Sequence, residues 1–259
     1  LRYGTIGTPE KMYLGWKEDE ADNAGYKLDK YLEKLCARPR LLELIRDFVL
    51  FDGGVKKLPR PHQYFGIKAA QAHVRQKKGG IIWHTQGSGK SILMVLLAKW
   101  ILENNPHARV AIITDRDELD KQIERVFSQV GVTIYRTCSG RDLMRQLGQA
   151  KPRLLCSLVH KFGLDARGRG DQEFDAFVKE IEAQPSQTVG EVFVFVDECH
   201  RSQSGRLHRV MKAMMPNAIF IGFTGTPLLK QDKATSLEVF GGYIHTYKFS
   251  EAVEDEVVL

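Results

Sequence analysis

The chain has 259 residues, 43% hydrophobic and 27% charged, with a formal net charge of +6. That composition can bury a sizeable core, which excludes a disordered chain. No apolar run approaches the roughly 20 residues needed to span a bilayer, so a membrane partner is not expected, and the opening LRYGTIGTPEK lacks the apolar core of a signal peptide.

Cys36, Cys138, Cys156 and Cys199 lie far apart with no C-x-x-C pair, so neither a zinc site nor a disulfide framework is suggested and a reduced, cytoplasmic setting fits. The positive balance favours an anionic partner such as nucleic acid, although an excess of this size is common among proteins that bind none. The first residue is Leu1 rather than Met, so the chain is expected to be a piece of something longer.

Residues 1–59 are charged and irregular and read as a connector, with short amphipathic helices expected at 28–35 and 40–50. Glu18, Asp19, Glu20 and Asp22 crowd a polar stretch without an apolar strand and read as solvated surface. The glycines, basic residues and two prolines of FDGGVKKLPRPHQ, 51–63, mark the best boundary. Beyond it, the runs GGIIWHT, RVAIITD, VTIYR, RLLCSLVH, VFVFVDE and AIFIGFTG read as strands buried on both faces of a parallel sheet. Helical stretches at 91–103, 118–130 and 141–149, the last preceded by the capping residue Ser139, supply the crossovers. The fold class is therefore α/β, a doubly wound parallel sheet with an amino-terminal helical connector. Residues 163–190 are polar and glycine-rich and read as an exposed insertion.

The stretch HTQGSGKS, 84–91, is a glycine-rich turn between a strand and a strongly apolar helix. Such a turn lets backbone N–H groups converge on an oxyanion while the helix aims its positive end at the same charge. Gln86, Gly87, Ser88 and Gly89 would form the turn, Lys90 would meet the β- and γ-phosphates, and Ser91 would ligate magnesium. A chance glycine turn is the competing reading, and the flanking strand and helix count against it. His84 stands where such loops usually carry a first glycine, and its plain reading is a satisfied core histidine at a strand end. VFVFVDECH, 192–200, delivers Asp197 and Glu198 at the carboxyl end of a strand, the edge where open α/β sheets bind ligands. Asp197 would hold magnesium and Glu198 would orient or deprotonate the attacking water. GFTGTPLL, from Gly222, sets Thr224 and Thr226 beside that acidic pair, as a phosphate-state sensor or a simple turn.

TQGSGKS, ITDRDELDKQ, DECH and TGTP, in this order, resemble motifs I, Ia, II and III of superfamily 2 helicases and translocases. More narrowly, IIWHTQGSGKS, DECHRSQSG and FIGFTGTPL are similar to the motor (R) subunit of type I restriction-modification enzymes, in which a histidine before the loop is usual. The resemblance runs from about 60 to 242, with a weaker match at GTPEKMYLGWK. It implies a RecA-like phosphate-loop domain at 60–248, preceded by a connector from a nuclease domain and followed at 249–259 by the start of a linker to a second RecA-like domain. It further implies ATP and Mg2+ as cofactors, and double-stranded DNA plus methylation and specificity subunits as partners. On this resemblance Gln63, in RPHQ, would meet the adenine edge, and His200, Thr224 and Thr226 would couple phosphate state to motion. DNA contacts would go to backbone phosphates without base reading, from Thr114, Asp115, Arg116, Lys161, Arg201 and Arg206. The family's arginine finger belongs to its second domain, and such a residue is worth about 10³ to 10⁵ in rate. The isolated chain is therefore expected to bind nucleotide weakly and turn it over slowly. The D…E-x-K nuclease cluster of the family has no match here. Two alternatives stay open: a stand-alone superfamily 2 helicase, and a nucleotide-gated DNA-binding or assembly module.

Overall fold

The computed structural model describes residues 2–10, 13–18, 26–52, 54–114, 124, 127–128, 133–158, 179, 188–199, 204–226 and 240–258. Strands β1 (Arg2–Tyr3) and β2 (Leu14–Gly15) pair antiparallel, and helices α1 (Lys27–Cys36) and α2 (Arg38–Glu43) follow. The helix expected at 40–50 changes character midway. It loosens into a π-turn, Leu44–Phe48, and gives way at Val49 to the hairpin of β3 (Leu50–Asp52) and β4 (Val55–Lys57).

After this come α3 (Pro61–Arg75), β5 (Gly80–His84), α4 (Lys90–Asn104), β6 (Ala108–Thr114), β7 (Ile134–Arg136), α5 (Gly140–Leu147), β8 (Leu154–Leu158) and β9 (Glu191–Val196). The chain continues through α6 (Ser204–Met214), β10 (Ile219–Thr224), β11 (Tyr243–Tyr247) and α7 (Phe249–Glu254). Among the described residues, seven strands form one parallel sheet in the order β11-β5-β10-β9-β6-β8-β7. All six runs read as strands lie in it, and β11 is an addition that the sequence pattern did not reveal.

The period of two explains why those runs are almost wholly apolar. Ile82, Val110, Ile112, Phe193, Phe195, Ile221 and Phe223 face one buried cluster with α3 and α4. Their neighbours Ile81, Ala111, Ile113, Val194, Val196 and Phe220 face a second cluster with α5 and α6. A strand covered on both faces needs apolar side chains at every position, so alternation disappears from the sequence. Ser139 caps α5 as expected, its hydroxyl accepting from Asp142 N at 3.1 Å. The expected helix at 118–130 lies mostly outside the described residues, and so does most of 163–190. The amino-terminal segment shares the first cluster through Trp16, Phe48 and Leu50, all nearly inaccessible.

Candidate active site

Three turns meet at the carboxyl edge of the sheet. β5 ends at His84 and opens into the glycine turn, in which Gly87 and Gly89 take φ of 81° and 82°. That left-handed region is open to glycine without strain. Gly89 caps α4, so Lys90 and Ser91 open a 15-residue helix whose positive amino end lies at the glycine turn. Glycine at 89 also leaves room for Gln63, since a Cβ there would stand 2.4 Å from Gln63 Nε2.

The sheet order puts β10 between β5 and β9, so the TGT turn lies between the glycine turn and the acid turn. A Cβ on Gly225 would lie 2.9 Å from Lys90 Nζ and 3.3 Å from Gln86 N, which places the TGT turn directly against the loop. On its other side, Cys199 N donates to Phe223 O at 3.1 Å, and a Cβ on Gly222 would lie 2.8 Å from Cys199 Sγ. Thr224 is fully buried, and its Oγ1 accepts from Thr226 N at 3.2 Å, closing that turn. Asp197 is buried and its N–H donates to Ile113 O, which extends the ladder one residue past β9. Glu198, half-buried, then turns away at φ 48°, a conformation uncommon for a residue with a Cβ.

The loop is gripped from behind by α3. Ser88 O accepts from Gln63 Nε2 and from His62 Nε2, both at 2.9 Å. A carbonyl can only accept, which puts the His62 proton on Nε2. Gln63 Nε2 also reaches Gly89 O at 3.3 Å, and Gln63 Oε1 accepts from Arg60 N at 2.9 Å. Both ends of this amide are thus engaged with backbone, so reading an adenine edge requires it to exchange partners. Ser88 Oγ donates to Thr85 O at 2.6 Å, and Lys90 Nζ donates to His84 O at 3.3 Å.

His84 is wholly buried, and its Nε2 lies 2.8 Å from His245 Nδ1. Gly66 on α3 makes the space, because a Cβ there would stand 3.0 Å from His84 Cε1. His62 stacks on Tyr247 with centroids 3.9 Å apart, and Tyr247 O accepts from Thr85 N. Burial lowers the pKa of all three histidines: His62 to about 4, His84 well below its ordinary value, and His245 in the same direction. The unfolded chain protonates His62 near 6.5 while the folded chain keeps it neutral, so stability is lost as pH falls from about 6.5 to about 4. His62 alone contributes about 3 kcal/mol of that loss. Urea midpoints measured across this range should fall steadily, and His62→Gln should flatten the slope.

The predicted residues divide cleanly by position. Gln63, Gln86, Gly87, Ser88, Gly89, Lys90, Ser91, Asp197, Glu198, Thr224 and Thr226 sit along three adjoining turns and the helix behind them. Thr114 ends β6 fully buried, out of reach of a DNA phosphate in this conformation. Asp115, Arg116, Lys161, His200 and Arg201 lie outside the described residues, and Arg206 falls on α6 with its side chain undescribed. Glu18, read as surface, instead accepts from Arg40 Nη1 at 2.6 Å and from Trp16 Nε1 at 3.1 Å. His62, His245 and Tyr247 went unnoticed in the sequence. The first sits inside RPHQ, where only Gln63 drew attention, and the other two lie on the unpredicted β11.

A parallel sheet with this glycine turn, helix amino end and acid turn at one edge defines an α/β nucleoside triphosphatase of the phosphate-loop class. A family model described as SWI2/SNF2 ATPase matches residues 62–259, and the chain belongs to that family. It is 32% identical over 293 residues to the Type I restriction enzyme HindI endonuclease subunit of Haemophilus influenzae, in a match that takes in 98% of this chain and 26% of that protein. The chain thus spans about a quarter of that relative's length. Among solved structures it resembles the Sulfolobus solfataricus SWI2/SNF2 ATPase core in complex with dsDNA, with TM-score 0.51, 10% identity, and coverage of 76% of this chain and 37% of that one. It also resembles a nuclease-deletion mutant of the Type ISP restriction-modification enzyme LlaGI in complex with a DNA substrate mimic, with TM-score 0.50, 16% identity, and coverage of 78% and 21%. At those identities the two structures speak to the fold alone.

Proposed function

We propose that this chain is the ATP-binding motor domain of a type I restriction enzyme R subunit, which couples ATP hydrolysis to translocation of double-stranded DNA ahead of cleavage. The observation that carries the reading is the junction of the three turns, with the TGT turn against Lys90 and the strand that leads into it, β10, against Cys199. A change at the phosphates has a direct mechanical route into β10. Residues 60–248 form the first RecA-like domain in this reading, 1–59 the connector and 249–259 the start of a linker.

Lys90 holds the β- and γ-phosphates over the loop amides. Ser91 and Asp197 would hold Mg2+, and their chemistry fits it: a buried carboxylate just past β9 and a hydroxyl in the first turn of α4 both lie at the carboxyl edge of the sheet, after strands separated only by β10. Bound there, the ion would neutralise charge developing on the transferred phosphoryl group. Glu198 orients the attacking water and takes its proton. Thr224, Thr226 and His200 transmit phosphate state to the surface, and Arg116, Lys161, Arg201 and Arg206 supply the backbone contacts to DNA. Methylation and specificity subunits are the proposed partners and the cytoplasm the proposed location. No described helix is long and apolar enough to cross a membrane.

The test is displacement of a triplex-forming strand from linear double-stranded DNA by the longest native polypeptide carrying this sequence. ATP-dependent displacement is expected. ATP turnover without any displacement would overturn the motor reading.

A further inference from the structure

A cleft of about 460 Å3 opens beside the loop, within the roughly 300–1,000 Å3 common for ligand sites. Gly87, Ser88 and Gly89 line it together with Gln63, whereas Lys90 does not. Phosphates belong over the loop amides and the Lys90 ammonium. A space that reaches the loop glycines without reaching Lys90 is placed to take the remainder of a nucleotide, its sugar and base.

The outer wall comes from the amino-terminal turn Gly4–Pro9 and from β4. That turn is tightly closed: Thr8 N donates to Thr5 O at 3.0 Å, Thr5 N donates to Thr8 Oγ1 at 3.1 Å, and the two hydroxyls meet at 2.8 Å. Tyr3 OH donates to Pro59 O and ties the turn to the segment leading into α3. The turn holds Ile6 wholly exposed at the lip of the cleft, and Val55 is more than half exposed there. Leu58 and Ile92 line the same space. Aliphatic side chains exposed to water at the mouth of the cleft lower their free energy when something apolar covers them. With the Gln63 amide engaged by the loop, an apolar platform is what the cleft offers a flat ring.

We propose that Ile6 and Val55 form the platform that receives the purine base of the bound nucleoside triphosphate, so that the amino-terminal turn belongs to the nucleotide site. This deepens the ATPase reading above and rests on it. The test uses isothermal titration of the full chain with ADP and, separately, with inorganic tripolyphosphate, both with Mg2+, for wild type, Ile6→Ser, Val55→Ser and Lys90→Ala. Both wall residues are exposed, so folding is not at stake, and far-UV circular dichroism verifies it. ADP affinity should fall about tenfold in each wall variant, the loss of one buried aliphatic contact, while tripolyphosphate affinity stays unchanged. Lys90→Ala should weaken both ligands. Unchanged ADP binding in the two wall variants overturns the platform while leaving the phosphate loop intact. Equal loss of ADP and tripolyphosphate in the wall variants also overturns it, since the wall would then serve the phosphates. Failure of Lys90→Ala to weaken either ligand removes the nucleotide reading itself.

Discussion

Glu198→Gln in the longest native polypeptide carrying this sequence is expected to lower DNA-stimulated ATP turnover about 10²- to 10⁴-fold, the range for loss of a positioned proton acceptor. Nucleotide binding should survive, because the loop amides and Lys90 stay in place. The backbone at this residue sharpens the experiment. Glu198 sits at φ 48° directly after Asp197, whose N–H is fixed by Ile113 O, and before Cys199, whose N–H is fixed by Phe223 O. Two adjacent strands thus hold the turn in a conformation that costs a residue with a side chain on the order of 1–3 kcal/mol. Glu198→Gly removes that strain and the carboxylate together. If the carboxylate carries the chemistry, the glycine variant melts at or above the wild-type temperature and is as inactive as the glutamine variant. Turnover preserved in Glu198→Gln would sink the assignment.

How much of this was legible depends on what each segment buries. Strands covered on both faces advertise themselves, because Ile81 and Ile82, or Val194 and Phe195, must both be apolar when each faces a separate core. β11 gave no such signal. It is an edge strand, mostly half-buried, and it spends His245 and Thr246 where an inner strand would place aliphatics. α3 hid for a different reason: it buries His62, Gln63 and Gln71, polar residues that break the apolar period. Two of these grip the loop, so the function of the helix obscured its pattern. The glycines and acids of the site were readable because their chemistry demands those residue types at short spacing. The order of strands, which sets the TGT turn between loop and acids, is a long-range property that no local spacing records. Nor does spacing record that a polar amino-terminal stretch folds back onto α3.

Trp16→Ala is expected to destabilise the chain by about 3–5 kcal/mol, the range for truncating a buried aromatic, and at this chain length that lowers the melting temperature by roughly 10 °C. Trp16 is only 2% exposed, with its ring 5.7 Å from Tyr3, 5.5 Å from Tyr64 and 5.8 Å from Phe65. Its indole N–H donates to Glu18, and burial of that carboxyl, which alone would raise its pKa, is outweighed by the Arg40 and Trp16 hydrogen bonds, so Glu18 titrates below its ordinary range. Arg40 lies over both Trp16 and Tyr64, at 5.9 and 5.5 Å. Tyr64 follows His62 and Gln63 directly on α3, so the indole braces the helix that holds Ser88 O. Loosening that brace should weaken ADP binding as well as stability, whereas Leu28→Ala on the exposed face of α1 should change stability by no more than about 0.5 kcal/mol. An unchanged melting curve for Trp16→Ala would mean that residues 2–18 fold apart from the sheet. A lowered one, together with weaker nucleotide binding, makes this segment part of the ATPase unit, because a segment that merely tethers has no means of reaching the phosphate loop.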